Sequence, residues 1–119
     1  MPHIYPIYKQ GDIWTRTILK SNKTKFRELV AQRFGYEVND IAFIPRPIAD
    51  EDIELSDNIL PLEFVIDIGS RMVGKTDEAM MYDLKVDFCG IRRLDEINFG
   101  IWVRSFEHSN FIEHKPTTD

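Results

Sequence analysis

The sequence has little of several features that mark particular classes of protein. Cys89 is its only cysteine, so no disulfide can form within the chain. The longest apolar run, residues 60–66, is interrupted by Glu63 and is too short to span a membrane. Lys and Arg number 15 against 20 Asp and Glu, and the net charge of −5 is opposite to that of a typical nucleic-acid-binding domain. We therefore expect binding to neither membranes nor nucleic acids.

The N-terminal residues also lack a basic region followed by an apolar stretch. We therefore expect no secretory signal and a soluble, cytoplasmic protein. A chain of 119 residues suits a single domain, residues 1–119, that buries about two-thirds of its unfolded surface. Because so modest a core is only marginally stable, the chain gains much by assembling with copies of itself.

Hydrophobic periodicity predicts a strand followed by a helix at the start of the chain. Residues 3–9 alternate as a strand, and Pro6 confines this strand to a sheet edge or a bulge. The helix begins after an N-cap at Ser21 or Asn22 and ends at Gly35. Its apolar positions follow helical spacing: Phe26, Leu29, Val30 and Phe34.

The remaining periodic segments complete two similar halves, about residues 2–47 and 61–104. Strands are predicted at residues 40–46, 62–68 and 97–103, and a second helix, capped by Thr76, runs to Cys89. An acidic loop, residues 48–59, joins the halves. Because βαβ crossovers are right-handed, two such units predict an α+β fold with a four-stranded sheet and both helices on one face.

The other face of the predicted sheet lacks a cover. Its side chains mix aromatic and charged groups: Glu63, Asp67, Asn98, Trp102 and Arg104. Another subunit is the expected cover, and the second helix, which is apolar on two sides, supports assembly. The C-terminal arm, residues 105–119, would fit as a strand added to a neighbour's sheet.

The first chemical feature is Met1-Pro2. Initiator methionine is commonly removed before proline, which leaves a secondary amine with a pKa near 8. Apolar surroundings or nearby cations would lower that pKa towards neutrality, where the free amine works as a general base. Many proteins begin Met-Pro for no chemical reason, so the motif needs support from other residues.

That support is a resemblance to the tautomerase superfamily. It rests on the opening Pro2-His3-Ile4, the two βαβ repeats, and Asp67-Ile68-Gly69 at the end of the third strand. The superfamily includes 4-oxalocrotonate tautomerase, macrophage migration inhibitory factor and 5-carboxymethyl-2-hydroxymuconate isomerase. The resemblance implies a homotrimer of four-stranded sheets with the helices outside.

The resemblance also implies a site. Pro2 stands where the superfamily has its catalytic proline, and Lys75 stands where the oxalocrotonate branch has a carboxylate-binding arginine. Arg71 would restore planar recognition of that carboxylate. Substrate contacts are further expected from the backbone of Ile68 and Gly69, from Tyr36 at a substrate-binding position, and from an apolar wall of Trp102 and Phe106.

A competing motif uses the same loop. Residues 69–76 match the phosphate-binding pattern G-x-x-x-x-G-K-[ST] between a predicted strand and a predicted helix. A nucleotide triphosphatase also needs an acidic residue at the end of a later strand, whereas the strand of residues 97–103 runs into Arg104. Glycines and a lysine before a helix nevertheless favour an anion there.

The remaining polar residues and Cys89 give weaker evidence of function. Glu107-His108 and Glu113-His114 match no zinc spacing, and Cys89 lies in a helix stripe as a buried thiol, so we expect neither metal nor cofactor.

The resemblance thus predicts a tautomerase or isomerase acting on a small carboxylate-bearing molecule, with Pro2 as general base. A non-catalytic trimer of the same fold and a phosphate- or nucleotide-binding protein remain the alternatives.

Overall fold

A computed structural model describes residues 2–49, 60–69, 76–105 and 109–117. In these residues the helices are α1 (Ile13–Ser21), α2 (Lys23–Phe34) and α3 (Glu78–Cys89), with 3-10 turns at Val38–Asp40 and Leu94–Glu96. The strands are β1 (His3–Lys9), β2 (Ala42–Phe43), β3 (Arg46–Ile48), β4 (Leu62–Asp67), β5 (Phe99–Arg104) and β6 (Ser109–His114). None of the helices in the described residues is long and apolar enough to cross a membrane.

One mixed sheet contains all the described strands, in the order β2-β1-β4-β5-β6, with β3 also paired to β1. β1 runs parallel to β2 and β3, and β4 runs parallel to β5, whereas β1 and β4 are antiparallel. Each parallel pair is joined through helices, so the two predicted βαβ units and the α+β class are confirmed. The four predicted strands are all present, but the one over residues 40–46 is in two pieces.

Pro6 explains where that strand divides. The carbonyls of Pro2 and Ile4 accept hydrogen bonds from Ala42 and Ile44, so even-numbered residues of β1 direct their backbone groups towards β2 and β3. Proline has no N–H to donate on that side. The register is the same on both sides of Pro6, because His3 pairs with Ala42 and Ile7 pairs with Arg46. β1 is therefore an interior strand whose pairing is interrupted at Pro6 without an inserted residue, and the prediction that Pro6 confines it to an edge or a bulge is wrong.

Three features differ from the sequence predictions. α1 was not predicted; Asp12 caps it by accepting hydrogen bonds from the N–H and hydroxyl of Thr15. The cap of α3 is Asp77, whose carboxylate accepts from the Met80 N–H at 2.9 Å, and not Thr76. Residues 109–114 of the C-terminal arm pair with β5 of their own sheet as β6, so the edge of β6 that faces β5 is not available to a neighbour's sheet.

The core lies between the helices and one face of the sheet. Phe64 of β4 is fully buried and contacts Phe26 of α2 and Phe88 of α3, with ring centroids 5.0 and 4.9 Å apart. Arg33 of α2 also donates to Asp87 of α3 through Nη2 at 3.1 Å, which ties the two helices together at their exposed side. α2 and α3 therefore pack on the same face, as predicted.

Candidate functional site

Pro2 lies at the end of the sheet where β4 and β5 finish. The pairing of His3 with Asp67 continues to place Pro2 opposite Ile68, the residue directly after β4. Pro2 and Ile68 are both buried. The Pro2 carbonyl accepts a hydrogen bond from the Ala42 N–H at 3.1 Å, so the backbone of Pro2 is fixed on its other side as well.

Tyr36 reaches the same end of the sheet from α2. Gly35 ends the helix in a left-handed conformation (φ 75°), which glycine adopts without strain. The N–H groups of Gly35 and Tyr36 both donate to the Ala31 carbonyl, which fixes the turn. The Tyr36 hydroxyl then accepts a hydrogen bond from the Gly69 N–H at 3.2 Å. Tyr36 and Gly69, 33 residues apart in sequence, are therefore in direct contact.

Two further bonds hold β4 against β5 here. The Ile68 N–H donates to the Arg104 carbonyl at 2.9 Å, and Arg104 Nε lies 3.0 Å from Asp67 Oδ1 in an ion pair. Arg104 therefore ends β5 with a cation that is paired to the neighbouring strand. A phosphate-hydrolysing site would need an acidic residue at this position, so the fold gives no support to that part of the alternative function.

The loop between β4 and α3 carries Arg71 and Lys75, which lie outside the described residues. Both of its ends are fixed by long-range contacts. Gly69 is bonded to Tyr36, and the carbonyl of Thr76 accepts from Nδ2 of Asn110 in β6 at 3.2 Å. Since β6 begins beside Arg104, the two ends of this loop lie at the Pro2 end of the sheet.

Trp102 lies further along the sheet, away from the Pro2 end. It pairs with Val65 of β4, and Val65 pairs with Tyr5 of β1. Tyr5 is three residues from Pro2, which places the level of Trp102 about 10 Å from Pro2 along the strand direction. Its side chain is on the face opposite to the buried Pro2 and packs on Phe111 of β6, with ring centroids 4.6 Å apart. Within one chain the structure does not bring Trp102 to Pro2. Phe106, the other predicted wall residue, lies outside the described residues.

Ser105 and Asn110 are residues at this end to which the sequence analysis gave no role. Ser105 follows Arg104 at the end of β5 and lies level with Ile68 and Pro2 across the neighbouring strands. Its hydroxyl is buried without a hydrogen-bond partner among the described residues. The surrounding residues 105–119 are mostly polar as well, so the sequence contains no signal that would have singled these two out.

The open face of the sheet carries the mixed side chains that the sequence predicts for it. A cleft of about 290 Å³ lies between Arg104, Asp67 and Tyr5, and the Arg46 guanidinium lies 4.5 Å from the centre of the Tyr5 ring. Phe111, 40% exposed, lies against Gly100 beside Trp102. No helix in the described part of the chain covers these side chains.

Cys89, His3 and His114 are the remaining candidate side chains in the part of the chain that the structure describes, and His108 lies outside it. Cys89 is half-buried, and this burial raises the pKa of its thiol, as expected for a packed side chain and not for a nucleophile. The ring of His3 stacks on Tyr5, and Nε2 of His114 lies 2.9 Å from the Asp95 carbonyl oxygen. Among the described residues no three His, Cys, Asp or Glu side chains meet as metal ligands.

The fold is that of the tautomerase superfamily. Over 87% of this chain and 85% of the other it is similar to the wild-type F6 fused 4-OT, an asymmetric trimer, with a TM-score of 0.58 and 13% identity. The wild-type Q0 fused 4-OT, a symmetric trimer, gives a TM-score of 0.55 and 16% identity over the same shares. Pt0534 inactivated by 2-oxo-3-pentynoate gives 0.52 and 15%, over 88% of this chain and 84% of that chain.

The likeness lies in structure, because no family model and no curated protein matches the sequence. The fold expected from Pro2, the repeats and the Ile68-Gly69 turn is thus confirmed. The roles of individual residues stay predictions.

Proposed function

We propose that the protein is a tautomerase that interconverts the keto and enol forms of a small carboxylate-bearing molecule, with the Pro2 amine as general base. The observation that carries this proposal is the meeting of Pro2, Ile68, Gly69 and Tyr36 at one end of the sheet. The resemblance to the tautomerase superfamily implies a role for each of these residues, and the fold similarity supports the proposal.

The proposed step is a proton transfer. The Pro2 nitrogen, freed by removal of Met1, takes the enol hydroxyl proton, and the electron pair forms the carbonyl while the conjugated carbon receives a proton from the resulting prolinium. No oxidant or reductant is consumed, and the base is regenerated. Arg71 and Lys75 hold the substrate carboxylate in this proposal, and they draw electron density towards it.

Ile68 and Gly69 supply backbone contacts to the substrate, and Tyr36 fixes the position of Gly69 through the 3.2 Å bond. Phe106 and Trp102 keep water from the site. Because Trp102 lies on the face opposite to Pro2 within one chain, its contribution requires a second copy of the protein.

We further propose a homotrimer. Trp102, Phe111 and Tyr5 form an aromatic surface on the uncovered face of the sheet, and burial of such a surface stabilises association. The fused 4-OT proteins of similar fold are trimers. Analytical ultracentrifugation should therefore give three times the mass of the 14.0 kDa chain. A monomer at micromolar concentration would contradict this assembly.

Activity is tested by ketonisation of phenylenolpyruvate, followed by ultraviolet absorbance, with protein whose intact mass shows that Met1 is absent. Pro2→Ala should lower kcat/KM by about 100-fold, which is the lower range for loss of a positioned base. Pro61→Ala, an exposed proline at the opposite end of the sheet, is the matched control. Equal rates for wild type and Pro2→Ala would leave a binding role only.

Covalent labelling gives a second test. Because Pt0534 is inactivated by 2-oxo-3-pentynoate, the same reagent is a suitable probe of the Pro2 amine. Conjugate addition of the amine to the alkyne forms one N–C bond and loses no atom. Peptide mapping should find the added mass on the N-terminal peptide, and labelling only of lysine side chains would count against a reactive Pro2.

A further inference from the structure

A second cleft lies beside β1, between α1 and the segment that carries β2 and β3. Its volume is about 410 Å³. It extends from Tyr8, six residues or about 20 Å along the strand from Pro2, to Phe43, which pairs with Ile4. Pro2, Ile68, Gly69 and Tyr36 are not among its lining residues, so the cleft is distinct from the proposed tautomerase site.

Three cations line this cleft: Arg16 and Lys20 of α1, and Lys23 at the start of α2. Arg16 and Lys20 are four residues apart on α1, so they lie one helical turn apart on the same side, and Lys23 reaches the same cleft from the next helix. All three are exposed, and none forms an ion pair with an acidic residue that the structure describes. In a chain of net charge −5 this is a local concentration of unpaired positive charge.

The rest of the lining is apolar and largely fixed. Leu19 and Tyr8 belong to the core, with 2% and 7% of their surface exposed, and Phe43, Pro45 and Pro47 form the facing wall. Ring side chains and prolines change shape little on binding, so the walls are preformed. A concave apolar surface with a few charged groups at its rim is the usual form of a small-molecule site.

We propose that this cleft binds a small amphipathic anion, in which a carboxylate or phosphate head is joined to an aromatic or short aliphatic body. The head would lie among Arg16, Lys20 and Lys23, and the body against Leu19 and Phe43. The proposal is independent of the tautomerase function, since it uses none of the residues at the Pro2 end.

The test is titration with 4-phenylbutyrate, followed by calorimetry and by backbone amide shifts in NMR spectra. It is carried out on Arg71→Gln/Lys75→Gln protein, so that carboxylate binding at the proposed active site does not interfere. Arg16→Gln/Lys20→Gln/Lys23→Gln in this background removes the three cations. Lys25→Gln/Arg92→Gln/Lys115→Gln is the matched control, because these exposed residues carry the same charge and do not line the cleft.

We expect saturable binding of one ligand per chain, with shifts at Tyr8 and Leu19, the lining residues far from Pro2. The cleft variant should bind about tenfold more weakly or worse, the control variant within about twofold of its parent, and neutral 4-phenylbutanol much more weakly. Tighter binding of phenyl phosphate would identify phosphate as the preferred head. Absence of saturable binding up to about 10 mM, equal affinity of the cleft variant, or shifts confined to the Pro2 end would each overturn the proposal.

Discussion

The Tyr36 hydroxyl accepts a hydrogen bond from the Gly69 N–H at 3.2 Å and thereby joins the end of α2 to the end of β4. This contact fixes the residue that precedes the loop of Arg71 and Lys75. Tyr36→Phe removes the acceptor and should destabilise the protein by about 1 kcal/mol, the usual net value of one such bond. Urea unfolding measures the loss. Tyr82→Phe, on an exposed tyrosine of α3, should change stability by less than about 0.5 kcal/mol.

If Gly69 holds substrate, Tyr36→Phe should also lower kcat/KM for phenylenolpyruvate while Tyr82→Phe leaves it unchanged. Loss of stability without any change in kcat/KM would restrict Tyr36 to a structural role.

The two carboxylates facing Arg33 should differ in their contribution to stability. Asp87 receives two hydrogen bonds from the guanidinium, whereas Asp83 lies 3.8 Å away and is 53% exposed. Asp87→Asn should therefore cost about 0.5–1 kcal/mol and Asp83→Asn less than about 0.3 kcal/mol. Thermal unfolding at low and high salt checks both, since salt screening should reduce the difference. Equal effects of the two substitutions would contradict the assigned geometry.

Gly100 leaves the space that Phe111 occupies. A Cβ at position 100 would lie 2.7 Å from Phe111 Cζ and 2.9 Å from Leu60 Cδ1, so the ring must move. Gly100→Ala should cost about 1–2 kcal/mol and alter the fluorescence of Trp102, which packs on Phe111. In a Phe111→Ala background the same change should cost clearly less, because the main obstacle is gone. Additive costs in this double-mutant cycle would show that Phe111 does not occupy that space.

The Cys89 thiol should be unreactive in the folded protein. Burial raises its pKa, and although Lys85 opposes this shift, the thiolate is a minor form at neutral pH. Because the folded pKa is raised, the stability linked to this group is complete below the unfolded pKa and is lost as pH rises through the folded one.

Alkylation by iodoacetamide should accordingly reach its half-maximal rate at a higher pH for native protein than for protein in urea. A native thiol that reacts as fast as the unfolded one near pH 8 would contradict this environment.

Local patterns predicted most of the fold, and non-local pairing accounts for the rest. The alternation of residues 3–9 correctly separated Ile4 and Tyr8, which are buried, from the half-buried His3 and Tyr5. α1 was not predicted because one of its buried residues, Thr15, is polar and breaks the apolar pattern. Asp12, three residues before Thr15, is an N-cap signal that could have indicated the helix. β6 could not be assigned to its own sheet from sequence, because its partner is chosen by tertiary packing.

The candidate site was predicted in a similar way. Pro2, Ile68, Gly69 and Tyr36 were named from the resemblance, and the sheet register and the turn after Gly35 bring them to one end of the sheet. Alternation correctly placed Trp102 on the uncovered face of the sheet, whereas its separation from Pro2 follows from the strand register, in which Trp102 pairs with Val65 and Val65 with Tyr5. Periodicity alone does not contain that register.

The most direct test of the proposed function compares two forms of one sequence that differ only at the Pro2 nitrogen. Protein with Met1 removed has a free amine there, whereas protein produced with methionine aminopeptidase inhibited keeps Met1 and has an amide with no basic lone pair. Intact mass identifies each form, and phenylenolpyruvate ketonisation gives kcat/KM. We predict that the Met1-free form is more active by about 100-fold or more. Equal activity of the two forms would contradict Pro2 as the base.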